Sequence, residues 1–205
     1  MKIFIHIGLH KTGTSFLQKV IFPNLKGINY KIYYKPDIFE LQENKINLIS
    51  CESLSGNPLS SVRFGDLDRK LLIYGLKKMY PNAAIIVGFR HKENWLKSLY
   101  ANRIKQGNYV RNFNDFYDRF NKEYLDFEGY EKLIKSLFSN VYVYQFEDLK
   151  NNPTEFVQNI CKFIGVPFPE YKNKIVNKAW KGWKLQVGKL RSVAFIVSRK
   201  ILERI

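Results

Sequence analysis

The segment Lys2–Gln18 constrains the fold most, because an apolar run there meets a glycine-bearing loop and the start of a helix. Lys2–Ile7 is rich in Ile and Phe, which predicts a short buried strand. Gly8 and the polar stretch Lys11–Ser15 follow at once, and apolar residues at helical spacing come next. Glycines let the backbone turn tightly around an anion, and a helix start offers N–H donors and a positive dipole end. The segment therefore predicts a phosphate-binding loop between a strand and a helix.

This loop departs at one position from the nucleoside triphosphatase motif G-x-x-x-x-G-K-[ST]. Gly8 and Gly13 match the glycines of the motif, and Ser15 matches its last position. Thr14 stands where the motif has lysine, and Lys11 lies inside the loop instead. A lysine there would approach the phosphate from a different side. An ordinary strand–turn–helix with a solvated lysine is the alternative, and the joint occurrence of these residues after a strand disfavours it.

A carboxylate follows the second predicted buried strand, Ile46–Cys51. Function gathers at the carboxyl ends of strands in an open parallel sheet, so Glu52 is expected near the first loop. A carboxylate in that place would accept a proton from an attacking hydroxyl or amine, or else cap a helix or form an ion pair. The residues alone leave both roles open. Among the histidines, we expect His6 to pack in the core and His10 to line the site.

A second candidate anion site follows the third predicted buried strand, Ala83–Val87. Arg90 comes just after that strand, and Ser98 lies about two helical turns further on in a predicted helix from Lys92 to Lys105. Arginine offers a planar fork of donors to a phosphate, and serine adds a hydroxyl. Such a pair also occurs by chance, so only its position past a strand end favours an anion site.

The remaining patterns predict an α/β fold. A fourth strand is predicted at Val141–Phe146, and Tyr30–Tyr34 is predicted as a short extended piece. Helices are predicted at these further positions: Phe64–Tyr80, Asn112–Glu123, Phe127–Phe138 and a Pro153-initiated segment ending at Ile164. Strands alternating with helices indicate a three-layer αβα fold with a mostly parallel central sheet. Glu147 and Asp148 follow the fourth strand, where a nucleoside triphosphatase would hold magnesium, but we interpret them as structural.

Length and composition set broader limits. The 205 residues suit one domain, 1–205, and the two cysteines form no disulfide framework, which favours a reducing compartment. The apolar start is too short for a secretory segment, so we expect a cytoplasmic protein. A formal charge of +16 predicts acidic partners such as a nucleotide, an anionic polymer, nucleic acid or a membrane surface. The segment 183–205 is predicted to be a basic amphipathic helix, which would pack on its own domain, a second subunit or a membrane.

Three stretches resemble one enzyme family. GLHKTGTSFLQ resembles the 5′-phosphosulfate loop of sulfotransferases that use 3′-phosphoadenosine 5′-phosphosulfate (PAPS), closest in style to compact bacterial-type and carbohydrate-type members. GFRHKENWLKSLY resembles the second signature of that family, which holds the 3′-phosphate. VYQFEDLKNNPTEFVQNICKFIGVP is similar to the segment after its last core strand. The resemblance covers the chain from Ile3 to about Pro167 and implies a P-loop-like fold.

The resemblance implies a reaction and a set of site residues. The sulfuryl group would move from PAPS to a hydroxyl or amine, on a saccharide or glycolipid, without a metal. Lys11 would act on the leaving phosphate and Glu52 would be the general base. The donor-binding residues would be Lys11, Thr12, Gly13, Thr14, Ser15, Arg90 and Ser98. The alternatives are a magnesium-dependent P-loop kinase or NTPase, and a basic module that binds nucleic acid or membranes. Membrane contact would involve 183–205, and nucleic acid is the less favoured partner.

Overall fold

The computed structural model describes residues 1–32, 40–59, 69–107 and 112–171, together with Gln186, Gly188 and Lys189. The chain divides into two compact units. The first consists of Met1–His91 and Lys122–Val176, and the second of Lys92–Asn121 and Asn177–Ile205. That 1–205 form one domain stays a prediction. Of the predicted C-terminal helix 183–205, only the three isolated residues above are described.

The first unit is built on a five-stranded sheet in the order β2-β3-β1-β4-β5. The strands are β1 Lys2–His6, β2 Ile28–Ile32, β3 Ile46–Ser50, β4 Ala84–Phe89 and β5 Val141–Gln145. All four strand pairs are parallel, which confirms the predicted α/β class with a parallel sheet. The central strands read as nearly continuous apolar runs because both faces of the sheet are covered.

Seven α-helices lie within the described residues. They are α1 Thr14–Phe16, α2 Arg69–Met79, α3 Lys92–Lys105, α4 Phe113–Arg119, α5 Phe127–Leu137, α6 Phe146–Asn151 and α7 Pro153–Ile164. Helix α1 continues as a π-helical turn, Leu17–Ile21, and a 3₁₀ turn, Phe22–Asn24. The predicted helix Phe64–Tyr80 corresponds to α2, Arg69–Met79. Residues 64–68 lie outside the described residues.

The helix predicted over Asn112–Glu123 is interrupted. Helix α4 ends at Arg119, and a 3₁₀ turn follows at Lys122–Leu125. Phe120 leaves the helical conformation with φ −71° and ψ 135°, and its ring packs edge-on against Trp95 at 5.8 Å. Burial of that ring therefore outweighs continuation of the helix. Tyr100 packs on Phe113 in the same second unit, with ring centroids 5.5 Å apart.

Helices cover both faces of the sheet in the first unit, which gives three layers. On one face, Phe4, Leu48 and Ile86 pack with the helical run that begins at α1 and with α7. On the other face, Phe89 packs on Phe127 of α5 with ring centroids 5.3 Å apart, and α5 also contacts α2. Helix α6 carries the acidic pair, and Asp148 forms a capping box with Gln145, as its structural interpretation predicts.

The topology brings three strand ends to one place. Strand β1 lies between β3 and β4, with His6 paired to Ser50 and Ile86. The loop after β1, the turn after β3 and the residue after β4 therefore leave the sheet at the same edge. This is the switch point at which open α/β sheets bind ligands. No helix within the described ranges is long and apolar enough to cross a membrane.

Candidate active site

The loop after β1 turns through two left-handed residues. Lys11 has φ +68° and Gly13 has φ +90°. Glycine adopts this region freely, whereas it is strained for lysine, and such strain clusters at functional sites. Thr12 is fully buried, and its hydroxyl donates to the Leu9 carbonyl at 2.5 Å. The Thr12 side chain therefore braces the loop from within.

Gly8 is required because two side chains approach its backbone closely. A Cβ at Gly8 would lie 2.6 Å from Thr14 Oγ1 and 2.7 Å from His6 Nε2. Thr14 Oγ1 is buried and makes no hydrogen bond to any residue in the described part of the chain. No side chain caps α1, and the first turn of a helix carries N–H groups that lack intrahelical acceptors. These donors fit a phosphate.

Glu52 lies beside this loop, in a 3₁₀ turn that directly follows β3. Burial raises the pKa of its carboxyl to about 7, against a smaller lowering by the Lys11 charge and by a hydrogen bond from the Lys11 backbone. Its side chain nevertheless keeps 36% of its surface exposed, so solvent reaches the carboxyl. A carboxyl with a pKa near neutrality is suited to accept a proton. The structure thus brings the predicted base to the predicted lysine.

His10 approaches the Glu52 carboxylate, with 3.9 Å between His10 Nε2 and Glu52 Oε2. Burial, reinforced by the Lys11 charge, lowers the His10 pKa to about 4. The imidazole is therefore neutral at pH 7, and this contact is not an ion pair. His10 lines the site, as its place in the loop predicts.

Arg90 binds the loop directly. Its Nη1 donates to the Lys11 carbonyl at 3.2 Å, and its guanidinium lies 4.5 Å from the ring centroid of Phe146. Its Nε is buried and has no hydrogen-bond partner among the described residues, which leaves a donor for an anion. Burial lowers the Arg90 pKa, and the Glu147 charge partly offsets this. Arg90 thus supports the strained Lys11 and adds positive charge.

Most of the predicted site residues meet at one edge of the sheet. Lys11–Ser15, Glu52 and Arg90 all belong to the first unit and follow β1, β3 and β4. Ser98 lies half-buried on α3 in the second unit, so its pairing with Arg90 stays a prediction. Within the described ranges no three His, Cys, Asp or Glu side chains come together as a metal site.

Sequence reasoning missed the buried polar side chains beneath the loop. Gln18, Ser50 and Tyr144 are buried there beside His6. A signal was present, because His6 and Ser50 are polar residues near the ends of two apolar strands and pair in register. Tyr144 gave no signal, since it lies in an aromatic strand.

Gly13→Ala tests the loop. An alanine there has an unfavourable φ, and its Cβ would lie 2.8 Å from Leu149 Cδ2, so we expect a stability loss of about 1–3 kcal/mol and weaker nucleotide binding. Gly27→Ala is the matched control, because Gly27 has φ +75° but open space around it. Thermal melts and calorimetric titration should show lower stability in both variants and weaker binding in Gly13→Ala alone. Unchanged binding in Gly13→Ala would contradict this role of the loop.

Fold and site together define a class: an α/β protein of P-loop-like fold, in which a glycine-bearing loop after the central strand brings together a lysine, a carboxylate and an arginine. The chain belongs to the sulfotransferase family, since the family model for the sulfotransferase domain matches residues 2–196. The resemblance found in the sequence is thereby confirmed at the level of the family. No curated protein matches the chain significantly by sequence.

Two solved structures share the fold. The crystal structure of a sulfotransferase from Alicyclobacillus acidocaldarius is similar with a TM-score of 0.62 and 14% identity, over 96% of this chain and 96% of that chain. The crystal structure of mouse sulfotransferase SULT7A1 complexed with PAP is similar with a TM-score of 0.54 and 14% identity. That match covers 82% of this chain and 61% of the mouse chain. At this identity the similarity is one of fold.

Proposed function

We propose that the chain transfers the sulfuryl group of PAPS to an acceptor hydroxyl or amine and releases adenosine 3′,5′-bisphosphate (PAP). One observation carries the proposal: Glu52 and Arg90 both contact Lys11, which lies in the loop at the switch point of the sheet. Membership of the sulfotransferase family supports the reaction class, and the PAP complex of the mouse enzyme supports the nucleotide.

The loop would hold the 5′-phosphate. Thr14 Oγ1 is a buried donor with no hydrogen-bond partner among the described residues, and it fits that anion. When bound, PAPS supplies the sulfuryl group together with its leaving phosphate. The Lys11 ammonium would stabilise the charge that develops on the leaving phosphate, in the manner of an oxyanion hole. Arg90 and Ser98 would position the 3′-phosphate and so fix the register of the donor.

Glu52 would remove the proton from the attacking acceptor. Its raised pKa gives it affinity for a proton near neutral pH, and its partial exposure leaves it open to the acceptor. Lys11 lowers that pKa and would thereby increase the ionised fraction of Glu52 before the acceptor arrives. The same lysine would thus act on both the leaving group and the base.

The proposed acceptor is a saccharide, free or carried by a glycolipid. This rests on the sequence resemblance to carbohydrate-type members and on the carboxylate in the position of the base. Peripheral membrane contact through 183–205 belongs to the same proposal. A screen of saccharide, glycolipid, phenol and amine acceptors with radiolabelled PAPS tests it, and transfer to phenols alone would overturn the saccharide class.

The nucleotide is tested by calorimetric titration of the full chain with PAP, with ADP plus magnesium, and with a short DNA duplex. We expect PAP to bind, and ADP to bind much more weakly because it lacks a 3′-phosphate. Binding of ADP in preference to PAP would overturn the proposal in favour of a kinase or NTPase. Binding of DNA alone, with a steep salt dependence, would favour a basic nucleic-acid module.

A further inference from the structure

Beneath the phosphate loop lies a chain of buried polar side chains that the proposed chemistry does not use. Gln18 Nε2 lies 3.0 Å from Ser50 Oγ, and Ser50 Oγ lies 2.7 Å from His6 Nδ1. His6 Nε2 lies 3.0 Å from the Tyr144 hydroxyl. All four side chains are buried, and His6 is fully enclosed. Buried polar groups of this kind are retained when each is satisfied and the network specifies a geometry.

Tyr144 reaches the imidazole across a neighbouring strand. Strand β4 separates β5, which carries Tyr144, from β1, which carries His6. Gly88 of β4 pairs with Tyr144, and a Cβ on Gly88 would lie 2.1 Å from Tyr144 Cζ. The tyrosine ring therefore lies directly over a glycine, and any side chain at Gly88 would displace it from His6.

One direction of donors, from Gln18 to Tyr144, satisfies every member of this network. The Gln18 amide nitrogen also lies 3.4 Å from the Ser50 carbonyl oxygen, which only accepts, so the NH₂ end of the amide faces Ser50. Ser50 Oγ accepts from Gln18 and keeps its own hydrogen, which in the proposed direction it donates to His6 Nδ1. Burial lowers the His6 pKa to about 3, so the imidazole is neutral and its other nitrogen carries the proton. His6 Nε2–H then donates to Tyr144.

The far end of the network is the phosphate loop. Burial raises the Tyr144 pKa, and the nearby hydroxyls of Thr12 and Thr14 partly offset that rise. Because the Tyr144 oxygen accepts from His6, its own proton is available to the Thr12 hydroxyl, the larger of the two hydroxyl influences on Tyr144. Thr12 passes its hydrogen to the Leu9 carbonyl within the loop. On the other side of His6 the network contains Ser50, which lies two residues before Glu52 in the sequence.

We propose that His6 is a positioning residue, which through Tyr144 holds the loop that would meet the 5′-phosphate and through Ser50 holds the strand end that precedes Glu52. This inference rests on the proposed function for the identity of the phosphate. His6 itself is enclosed and touches neither substrate. Its effect is transmitted by hydrogen bonds from the centre of the sheet to both halves of the site.

Tyr144→Phe tests the link to the loop, with Tyr142→Phe as the matched control on the same face of the same strand. PAP and adenosine 3′-monophosphate are titrated into each variant. Loss of one hydrogen bond should weaken PAP binding about fivefold to tenfold in Tyr144→Phe, with adenosine 3′-monophosphate unaffected because it lacks the 5′-phosphate. Tyr142→Phe should match the wild type. An equal loss for both ligands, or a fall in melting temperature with unchanged PAP binding, would overturn the proposal.

The two imidazole contacts are separated by amide replacements. His6→Gln places its amide near the position of Nε2 and His6→Asn places its amide near that of Nδ1. We therefore expect His6→Gln to retain more PAP affinity and His6→Asn to retain more kcat at saturating donor. Identical effects of the two variants on Kd and kcat would contradict separate links to the loop and to Glu52.

A readout that needs no nucleotide is the ¹⁵N signature of the His6 ring. We expect the neutral Nε2–H tautomer from pH 5 to pH 8, since the His6 pKa is lowered to about 3. An Nδ1–H tautomer, or titration near the ordinary histidine pKa, would overturn the directional network. If the wild-type chain binds ADP rather than PAP, the donor proposal fails, and the tyrosine variants are then measured against ADP and adenosine.

Discussion

Lys11→Ala should lower kcat by about 10²–10³-fold, the loss typical of removing one preorganised donor to a developing anion. The loop is strained at this residue, with φ +68°, and Arg90 holds its carbonyl at 3.2 Å. The side chain is thus presented from a supported backbone. Lys11 also lowers the Glu52 pKa, so its removal should move the acid limb of the rate profile to higher pH. Steady-state kinetics over a pH series measures both effects.

Lys11→Gly separates the side chain from the backbone. Glycine adopts φ +68° without strain, so this variant should be about 1–2 kcal/mol more stable than Lys11→Ala while losing the same activity. Lys19→Ala removes the same charge from an exposed position one to two helical turns beyond the loop, and it should remain active. Retention of activity in Lys11→Gly, or an equal loss in Lys19→Ala, would show that Lys11 acts through backbone geometry or net charge.

The strands that sequence reasoning located are those with continuous apolar or aromatic runs. Strands β1, β3, β4 and β5 lie within one or two residues of their predicted limits. Strand β2 was only indicated as an extended piece at Tyr30–Tyr34, because Ile28–Ile32 is an edge strand of half-buried residues that include Asn29 and Lys31. The polar residues at alternate positions interrupt the apolar run of β2, so its own composition does not reveal its pairing with β3.

The site was predictable where topology alone decides it. Glu52 and Arg90 follow strands that flank β1, and parallel pairing brings such ends together. The contact of Arg90 with the Lys11 carbonyl was not predictable, because it depends on the left-handed turn at Lys11. The link between His6 and Tyr144 spans 138 positions and requires the order of β4 and β5 and the space above Gly88. Neither the strand order nor that space is visible in residue types.

Glu52→Gln should lower kcat by about 10²–10⁴-fold, the range for loss of a general base, and leave PAP affinity within about twofold. Glutamine has nearly the same shape but does not accept the acceptor proton. In the proposed mechanism, PAP occupies the loop and Glu52 lies on the acceptor side of Lys11. Calorimetric titration and initial rates with a saccharide acceptor measure the two quantities separately.

The pH dependence follows from the same carboxyl. The base is active when ionised, so with a pKa of about 7 the rate should rise with pH through neutrality and level off above it. Folding stability changes with pH in the opposite direction to the rate. Because the folded pKa lies above the ordinary value of 4.5, the protonated carboxyl favours the folded state, and that stability is lost as pH rises from 4.5 to about 7. In thermal melts from pH 4 to pH 8, the melting temperature of Glu52→Gln should rise relative to that of the wild type as the pH increases through this window.

Glu131→Gln is the control for the loss of one carboxylate, since Glu131 forms an (i, i+4) ion pair with Lys135 on α5, away from the loop. It should not show the rate loss. If Glu52→Gln turns over normally, Glu52 is not the base, and His10 becomes the candidate because it lies 3.9 Å from that carboxylate. Since the His10 pKa is lowered to about 4, a rate profile governed by His10 would be flat through neutrality, whereas one governed by Glu52 rises there. The wild-type profile therefore distinguishes the two bases before any variant is made.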